Sequence, residues 1–139
     1  MSHPLVRVLA PEEYALVEGL KLSEEQEKFL PSRLAGERLF QIWGLWKGGR
    51  LIGFIEVVGN PPLLWIARMG IDAEYQGAGY GAYLLQAVLE RLRLRARITE
   101  IRAAVHPENL PAQHTFEKAG FTPLPPIEGE ELVFTYSFR

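Results

Sequence analysis

"DAEYQGAGYGAYLL", residues 72–85, places glycines at 77, 79 and 81 immediately ahead of an apolar helical pattern. Three glycines in five positions remove Cβ where the chain turns, permit positive φ and let a ligand approach the main-chain amides. The run joins an expected strand over 63–71 to an expected helix over 79–95. The unpaired N–H groups of that helix's first turn therefore point outward. Together with the positive end of the helix dipole, they suit a phosphate or diphosphate. An ordinary flexible strand-to-helix turn would use the same glycines, so the flanking residues have to decide.

Downstream, Leu84, Leu85, Val88, Leu89 and Leu92 fall on one helical stripe, and "EIRAAV" (100–105) reads as a strand. Strand, helix and strand make a βαβ unit, which requires parallel strands and a right-handed crossover. Upstream, strands over 39–47 and 50–58 are set off by "KGGR" (47–50) and "GNPP" (59–62), the signature of an antiparallel meander. Before them, "PLVRVLA" (4–10) reads as a first strand. Pro11 opens a helix with Glu12 and Glu13 placed for its dipole. "SEEQ" (23–26) is a capping box for a second helix ending near Pro31 or Gly36. After the βαβ unit, "ENLPAQHTFEKAG" (108–120) is a short helix stopped by Gly120, and "FTPL" (121–124) and "ELVFTYSF" (131–138) are further strands. The expected fold is a mixed α/β sheet, mostly antiparallel with one central parallel pair and flanking helices, in a single domain over 1–139. Ligands in such sheets bind beyond the carboxyl ends of the parallel strands. The glycine loop lies at one such end and "HPEN" (106–109) at the other.

Composition narrows the chemistry. With 139 residues, 47% hydrophobic and 23% charged, the chain has the balance of an ordinary soluble protein with one sizeable core. A net charge of −2 gives no reason to expect nucleic acid as a partner. The absence of cysteine removes disulfides, thiolate metal sites and cysteine nucleophiles, and is compatible with the cytoplasm. "MSHPLVRVLAPEEY" lacks the cationic stretch and apolar core of a signal peptide. No apolar run approaches the roughly 20 residues of a membrane span. No metal is expected, and a homodimer stays open.

"GIDAEYQGAGYGAYLL" (70–85) resembles the acyl-CoA-binding motif of the GCN5-related N-acetyltransferases, Gln-x-x-Gly-x-Gly, here Gln76, Gly79 and Gly81. "VHPENLPAQHTFEKAGF" (105–121) resembles the second motif of that family, with Asn109, Ala112, an aromatic at Phe116 and the ending "EKAGF". The two motifs fall in order, separated by the expected helix and strand, and the element order is similar along the whole chain. "LSEEQEKFL", "RMGID" and "EGEEL" also resemble the bacterial branch that includes spermine/spermidine-type acetyltransferases.

The resemblance implies acetyl-CoA as co-substrate and a primary amine as acceptor, first a polyamine or other small amine, second a protein N-terminus or lysine. It implies that the backbone of Gln76, Gly77, Ala78, Gly79, Tyr80 and Gly81 cradles the diphosphate. The arm of the cofactor would lie between the splayed parallel strands, bonded to Met69, Gly70 and Ile71, one of whose amides would act as oxyanion donor. Asn109, Ala112 and Phe116 would face the arm from the other side, although Asn109 before "LPA" is also an ideal helix N-cap. Family members often carry lysines where this loop has Ala78 and Ala82. The local charges here are Asp72 and Glu74, which leaves the work to backbone amides. The position often occupied by a proton-donating tyrosine is Phe116, which leaves open an acyl-CoA sensor that has lost catalysis.

An alkylamine with a pKa near 10.4 is about 0.1% neutral or less at pH 7, so a base helps transfer. Alternation along 50–58 puts Ile52, Phe54, Glu56 and Val58 on one face. Burial disfavours the charged form of a carboxylate, which suits a base. A solvated rim position is the plainer reading of Glu56. His106 is the second candidate for a base, and His114 is expected on the outer face of its helix. Carboxylates at 12, 13, 24, 25 and 27 form a solvated face or attract a polycationic amine. "GAGYGA" also satisfies a dinucleotide fingerprint, but five residues separate it from the preceding strand and only one βαβ unit is present.

Overall fold

The protein is described by a computed structural model over residues 3–22, 36–95 and 97–138. Strand β1 (Leu5–Val8) leads through a 3₁₀ turn (Pro11–Glu13) into the one-turn helix α1 (Ala15–Glu18). The meander β2 (Leu39–Lys47), β3 (Arg50–Asn60) and β4 (Leu63–Ile71) follows, then a 3₁₀ turn (Ala73–Tyr75) and helix α2 (Tyr80–Arg93). Strand β5 (Glu100–Val105), helix α3 (Leu110–Lys118), β6 (Thr122–Pro123) and β7 (Leu132–Ser137) complete the described elements. One seven-stranded sheet has the order β1-β2-β3-β4-β5-β7-β6. All its pairs are antiparallel except β4–β5. The mixed sheet with a single parallel pair is the one the sequence pattern implies.

Helix α2 is held by its apolar stripe. Leu84, Leu85, Val88, Leu89 and Leu92 are all buried against Trp43, Leu45, Ile55 and Val57 of the sheet. Full burial of each such side chain contributes about 1.5–3 kcal/mol, so packing and not intrinsic propensity fixes this helix. Its start is one residue later than periodicity predicts because Gly79 takes the left-handed conformation (φ 84°) as N-cap. A smaller cluster on the opposite face joins Leu9, Val17, Ile42, Leu51 and Phe54.

The helix expected from Pro11 is a 3₁₀ turn and then one turn of α-helix. Glu13 reaches back to the Ala10 N–H at 2.9 Å and forks Arg7 at 2.8 Å. The Arg7 pairing, aided by the Ala10 bond, holds the Glu13 carboxyl down to about 2. The "SEEQ" capping box and the helix expected after it lie outside the described residues.

One expectation about facing is corrected. Ile52 belongs to the cluster beneath α2, whereas Phe54 belongs to the cluster on the opposite face. The cause is an irregularity in the β2–β3 register: Leu45 faces Gly53 and Trp46 faces Leu51, so Ile52 is an extra residue. A bulge of this kind flips the alternation beyond it.

Small residues let the central strands fit together. A Cβ at Gly53 would lie 2.6 Å from Ile71 Cδ1 and 3.2 Å from the Gly70 carbonyl oxygen. The Ile71 methyl can move, but the Gly70 carbonyl is main chain of the neighbouring strand. Gly53→Ala is expected to lower stability by about 1–3 kcal/mol through overpacking, read from the urea midpoint. A midpoint at or above the wild-type value would show that β4 yields freely.

Candidate active site

The site begins where the sheet comes apart. The parallel ladder pairs Leu63, Leu64, Trp65 and Ile66 with Glu100, Ile101, Arg102 and Ala103, and stops there. Both strands continue, β4 to Ile71 and β5 to Val105. On the other side of β4, Glu56 faces Arg68 and Val57 faces Ile66, so Ala67 is a bulge residue. The bulge coincides with the last rung of the parallel ladder, and beyond it a cleft of about 510 Å³ opens between the strands.

Each wall of the cleft comes from one strand and its following segment. Met69, Gly70 and Ile71 line it from β4, with Gln76, Gly77, Gly79, Tyr80 and Gly81 at the loop end. His106, Asn109, Ala112 and Phe116 line it from the β5–α3 side. The structure thus brings together every residue expected to contact the cofactor except Ala78, which is exposed at the loop tip and does not line the cleft.

The three loop glycines have different reasons to be glycine. Gly77 (φ 81°) and Gly79 (φ 84°) adopt left-handed backbone, and a Cβ on either would meet nothing within 4 Å. Conformation alone demands glycine there, and the space above them is open. Gly81 lies inside α2, where a Cβ would touch Met69 Cε at 3.4 Å, so it serves the packing of helix on strand. No side chain caps the start of α2. Gln76 turns its amide inward, donating to the Ile71 carbonyl at 3.0 Å.

On the opposite wall, Asn109 Oδ1 accepts from the Ala112 N–H at 3.2 Å, so the N-cap role is realised. Phe116 is 5% exposed and packs edge-on to Phe121 with ring centroids 5.1 Å apart. His106 Nδ1 accepts from the Glu108 N–H at 3.1 Å, which orients the imidazole beside the cleft. His114, expected to face away, lies at the exposed rim and contributes to the lining.

Glu56 does not line the cleft, and it is not alone among apolar neighbours. Arg68 forks it, with Nε at 3.2 Å from Oε1 and Nη2 at 3.2 Å from Oε2. The same Nη2 reaches Glu18 at 3.4 Å, and the guanidinium carbon lies 5.4 Å from the Phe54 ring centroid. Burial works against the charge on Arg68, but the two carboxylates outweigh it and raise the guanidinium above its usual value. Sequence reasoning missed Arg68, which lines the cleft. Its partner across the meander is set by register, which local pattern does not reveal.

Asp72 is the buried charged residue of the described core, at 1% exposure. Its carboxylate accepts from the Glu74 N–H at 3.0 Å and the Lys21 N–H at 3.5 Å, and Arg50 reaches it at 3.3 Å. Arg50 also reaches Glu74 at 3.4 Å. The acidic flank read from the sequence is therefore compensated by a cation from another hairpin.

These features fit a phosphate-bearing ligand with an extended amide-containing arm: open backbone at Gly77 and Gly79, an uncapped helix start, and a strand pair parted along its length. A family model described as the acetyltransferase (GNAT) family matches residues 6–121. The aminoglycoside N(6')-acetyltransferase type 1 of Klebsiella pneumoniae is 30% identical over 112 residues, 72% of this chain and 56% of that protein. The L-2,4-diaminobutyric acid acetyltransferase of Virgibacillus pantothenticus is 35% identical over 71 residues, 49% of this chain and 44% of the relative. The chain spans about half the length of these curated relatives. Among solved structures, the aminoglycoside acetyltransferase AAC(6')-Ib in complex with coenzyme A superposes with a TM-score of 0.74 at 20% identity, covering 97% of this chain and 95% of that one. The Escherichia coli ribosomal-protein-S18-alanine N-acetyltransferase gives a TM-score of 0.74 at 18% identity, covering 98% and 94%.

The Glu56–Arg68 fork is testable on stability alone. Side-chain exposures of 20% and 27% make it a partly buried pair. A double-mutant cycle of Glu56→Gln and Arg68→Met is expected to give a coupling of about 1 kcal/mol, read by urea unfolding. Additive losses would show that the fork does not form in solution.

Proposed function

The chain belongs to the acetyltransferase (GNAT) family, and from that premise we propose that it transfers an acetyl group from acetyl-CoA to the primary amine of a small molecule, working as one domain. The observation that carries this reading is the parting of β4 from β5 at Ile66 and Ala103, with the glycine loop and an uncapped helix at the end of the cleft. Acetyl-CoA would supply the acetyl group as a thioester. The loop 76–81 would hold the diphosphate through main-chain N–H groups and the α2 dipole. Met69, Gly70 and Ile71 would bond the arm as an added strand does, and an amide among them would stabilise negative charge on the acyl oxygen.

The acceptor has to lose a proton. His106 lines the cleft, and its Nδ1 can take a proton once the Glu108 N–H releases it. Glu56 is engaged by Arg68 and stands behind the lining, so it serves through water or by positioning. We assign the base to His106 and rank Glu56 second. Two of the relatives are named for diaminobutyric acid and for aminoglycosides, which are small molecules with more than one amine. They support a small multi-amine acceptor, with a polyamine as first candidate and a protein N-terminus or lysine as second. The acyl-CoA sensor alternative would bind CoA and release none of it from acetyl-CoA with any amine in a panel.

CoA at about 100 times its dissociation constant is expected to stabilise the protein by roughly 2.7 kcal/mol. Gly79→Val should remove most of that shift, because a β-branched residue resists the positive φ of the loop. A full shift in the variant would reject the phosphate cradle. With the best amine found, His106→Gln should lower kcat/KM by about a hundredfold near neutrality, and the deficit should shrink as pH rises and the amine becomes neutral unaided. Wild-type rates for His106→Gln across pH 6–9, with a comparable loss in Glu56→Gln, would reverse the ranking.

A further inference from the structure

From Gln76 to Ala82 the loop carries no cationic side chain, and its entrance carries Asp72 and Glu74. A carboxylate as buried as Asp72 cannot swing away when an anion arrives. Two cations reach this region from one hairpin. Gly48 and Gly49 (φ 59° and 78°) close the β2–β3 turn so tightly that Lys47 and Arg50 pair across it. Lys47 Nζ lies 2.7 Å from the Tyr80 hydroxyl and 5.3 Å from its ring centroid. Arg50 spans Asp72 and Glu74, and its guanidinium carbon is 5.8 Å from the Tyr75 ring centroid. Tyr75 and Tyr80 meet edge-on at 6.0 Å, and both line the cleft, one ahead of Gly77 and one after Gly79. The hairpin therefore brackets the loop with positive charge.

We propose that the 47–50 hairpin provides the charge that allows this loop to take the phosphates of its acyl donor. The proposal rests on the acetyl-CoA reading and deepens it. Arg50 and Lys47 balance Asp72 and Glu74, so the field of the loop amides and of the α2 dipole acts on the ligand unopposed. Bonds to Tyr80 and to the two carboxylates hold the cations beside the loop before the ligand arrives. Lys118, which lines the cleft from α3, is the rival cation on the facing wall. Over a separation comparable to the screening length of about 8–10 Å, a charge changes affinity several-fold and not by orders of magnitude.

The test is binding, followed by ligand titration of thermal unfolding for wild type, Lys47→Met, Arg50→Gln and Lys118→Met. Ligands are CoA, dephospho-CoA and pantetheine, at low salt and at 1 M salt. In Lys47→Met and Arg50→Gln the preference for CoA over pantetheine is expected to fall about three- to tenfold, with the difference shrinking at 1 M salt. A loss shared by dephospho-CoA assigns the effect to the diphosphate, and a loss confined to CoA assigns it to the 3′-phosphate; both support the hairpin. Lys47→Met removes no partner of a buried carboxylate, so it decides the matter if Arg50→Gln fails to fold. An unchanged preference in Lys47→Met, an equal loss for pantetheine, or a loss only in Lys118→Met overturns the proposal. Failure of the wild type to bind CoA overturns the acetyl-CoA reading instead.

Discussion

The site depends on a main-chain constraint: β4 cannot stay paired with both neighbours along its whole length. Ile66 is the last residue that faces both β3 and β5. One step further, Ala67 is an extra residue against β3, and the strand turns away from β5. Buried main-chain groups require partners, so a strand that leaves its neighbour presents an unfinished ladder to the cleft. A ligand with amide groups can complete such a ladder in a way that side chains cannot. The glycine loop and the start of α2 follow directly from where β4 then ends.

Holding a parted strand in place demands close contact on its other side. Gly53 lets β3 approach Ile71 and Gly70, and Gly81 lets α2 settle on Met69. Gly70 in turn leaves room for Leu22, whose Cδ2 would lie 2.8 Å from a Cβ at that position. The chain at Lys21 is fastened to the same stretch by Ala73 N–H to its carbonyl at 2.7 Å and by its own N–H to Asp72. The residues expected to bind the acyl donor are thus clamped from three directions. Their preorganisation comes from packing that never touches the ligand.

Much of this was legible in the sequence because it is local. Strands 39–47, 63–71 and 100–105 were placed to the residue by alternation and turn chemistry, and the leucine stripe located α2 to within one or two residues at each end. The loop was legible because glycine has few other uses at that density. What escaped depends on register. The bulge at Ile52 changes which face its side chain takes, and no pattern in "RLIGFIEVVGN" announces it. The Arg68–Glu56 fork joins residues 12 apart across a meander, and the Arg50–Asp72 contact joins residues 22 apart. Sequence reading therefore counted Asp72 and Glu74 as uncompensated and Glu56 as solitary, when each has a guanidinium against it.

Phe116 shows how packing and chemistry separate at a single position. The ring is buried, edge-on to Phe121 and stacked at 6.3 Å on Phe134, while one side of it lines the cleft. These contacts join α3 to β7 and need an aromatic ring, not a hydroxyl. In the proposed transfer a phenylalanine here would offer no proton to a departing thiolate. A cysteine-like thiol has a pKa of about 8.5, so its thiolate leaves far more readily than an alkoxide and gains little from an acid. Stabilising charge on the acyl oxygen is usually the larger contribution, and in the proposed transfer that task would fall to main-chain groups of β4, which no substitution at 116 removes. Under the proposed transfer, Phe116 would therefore supply the packing that the fold requires and lack only the contribution that thioester chemistry needs least.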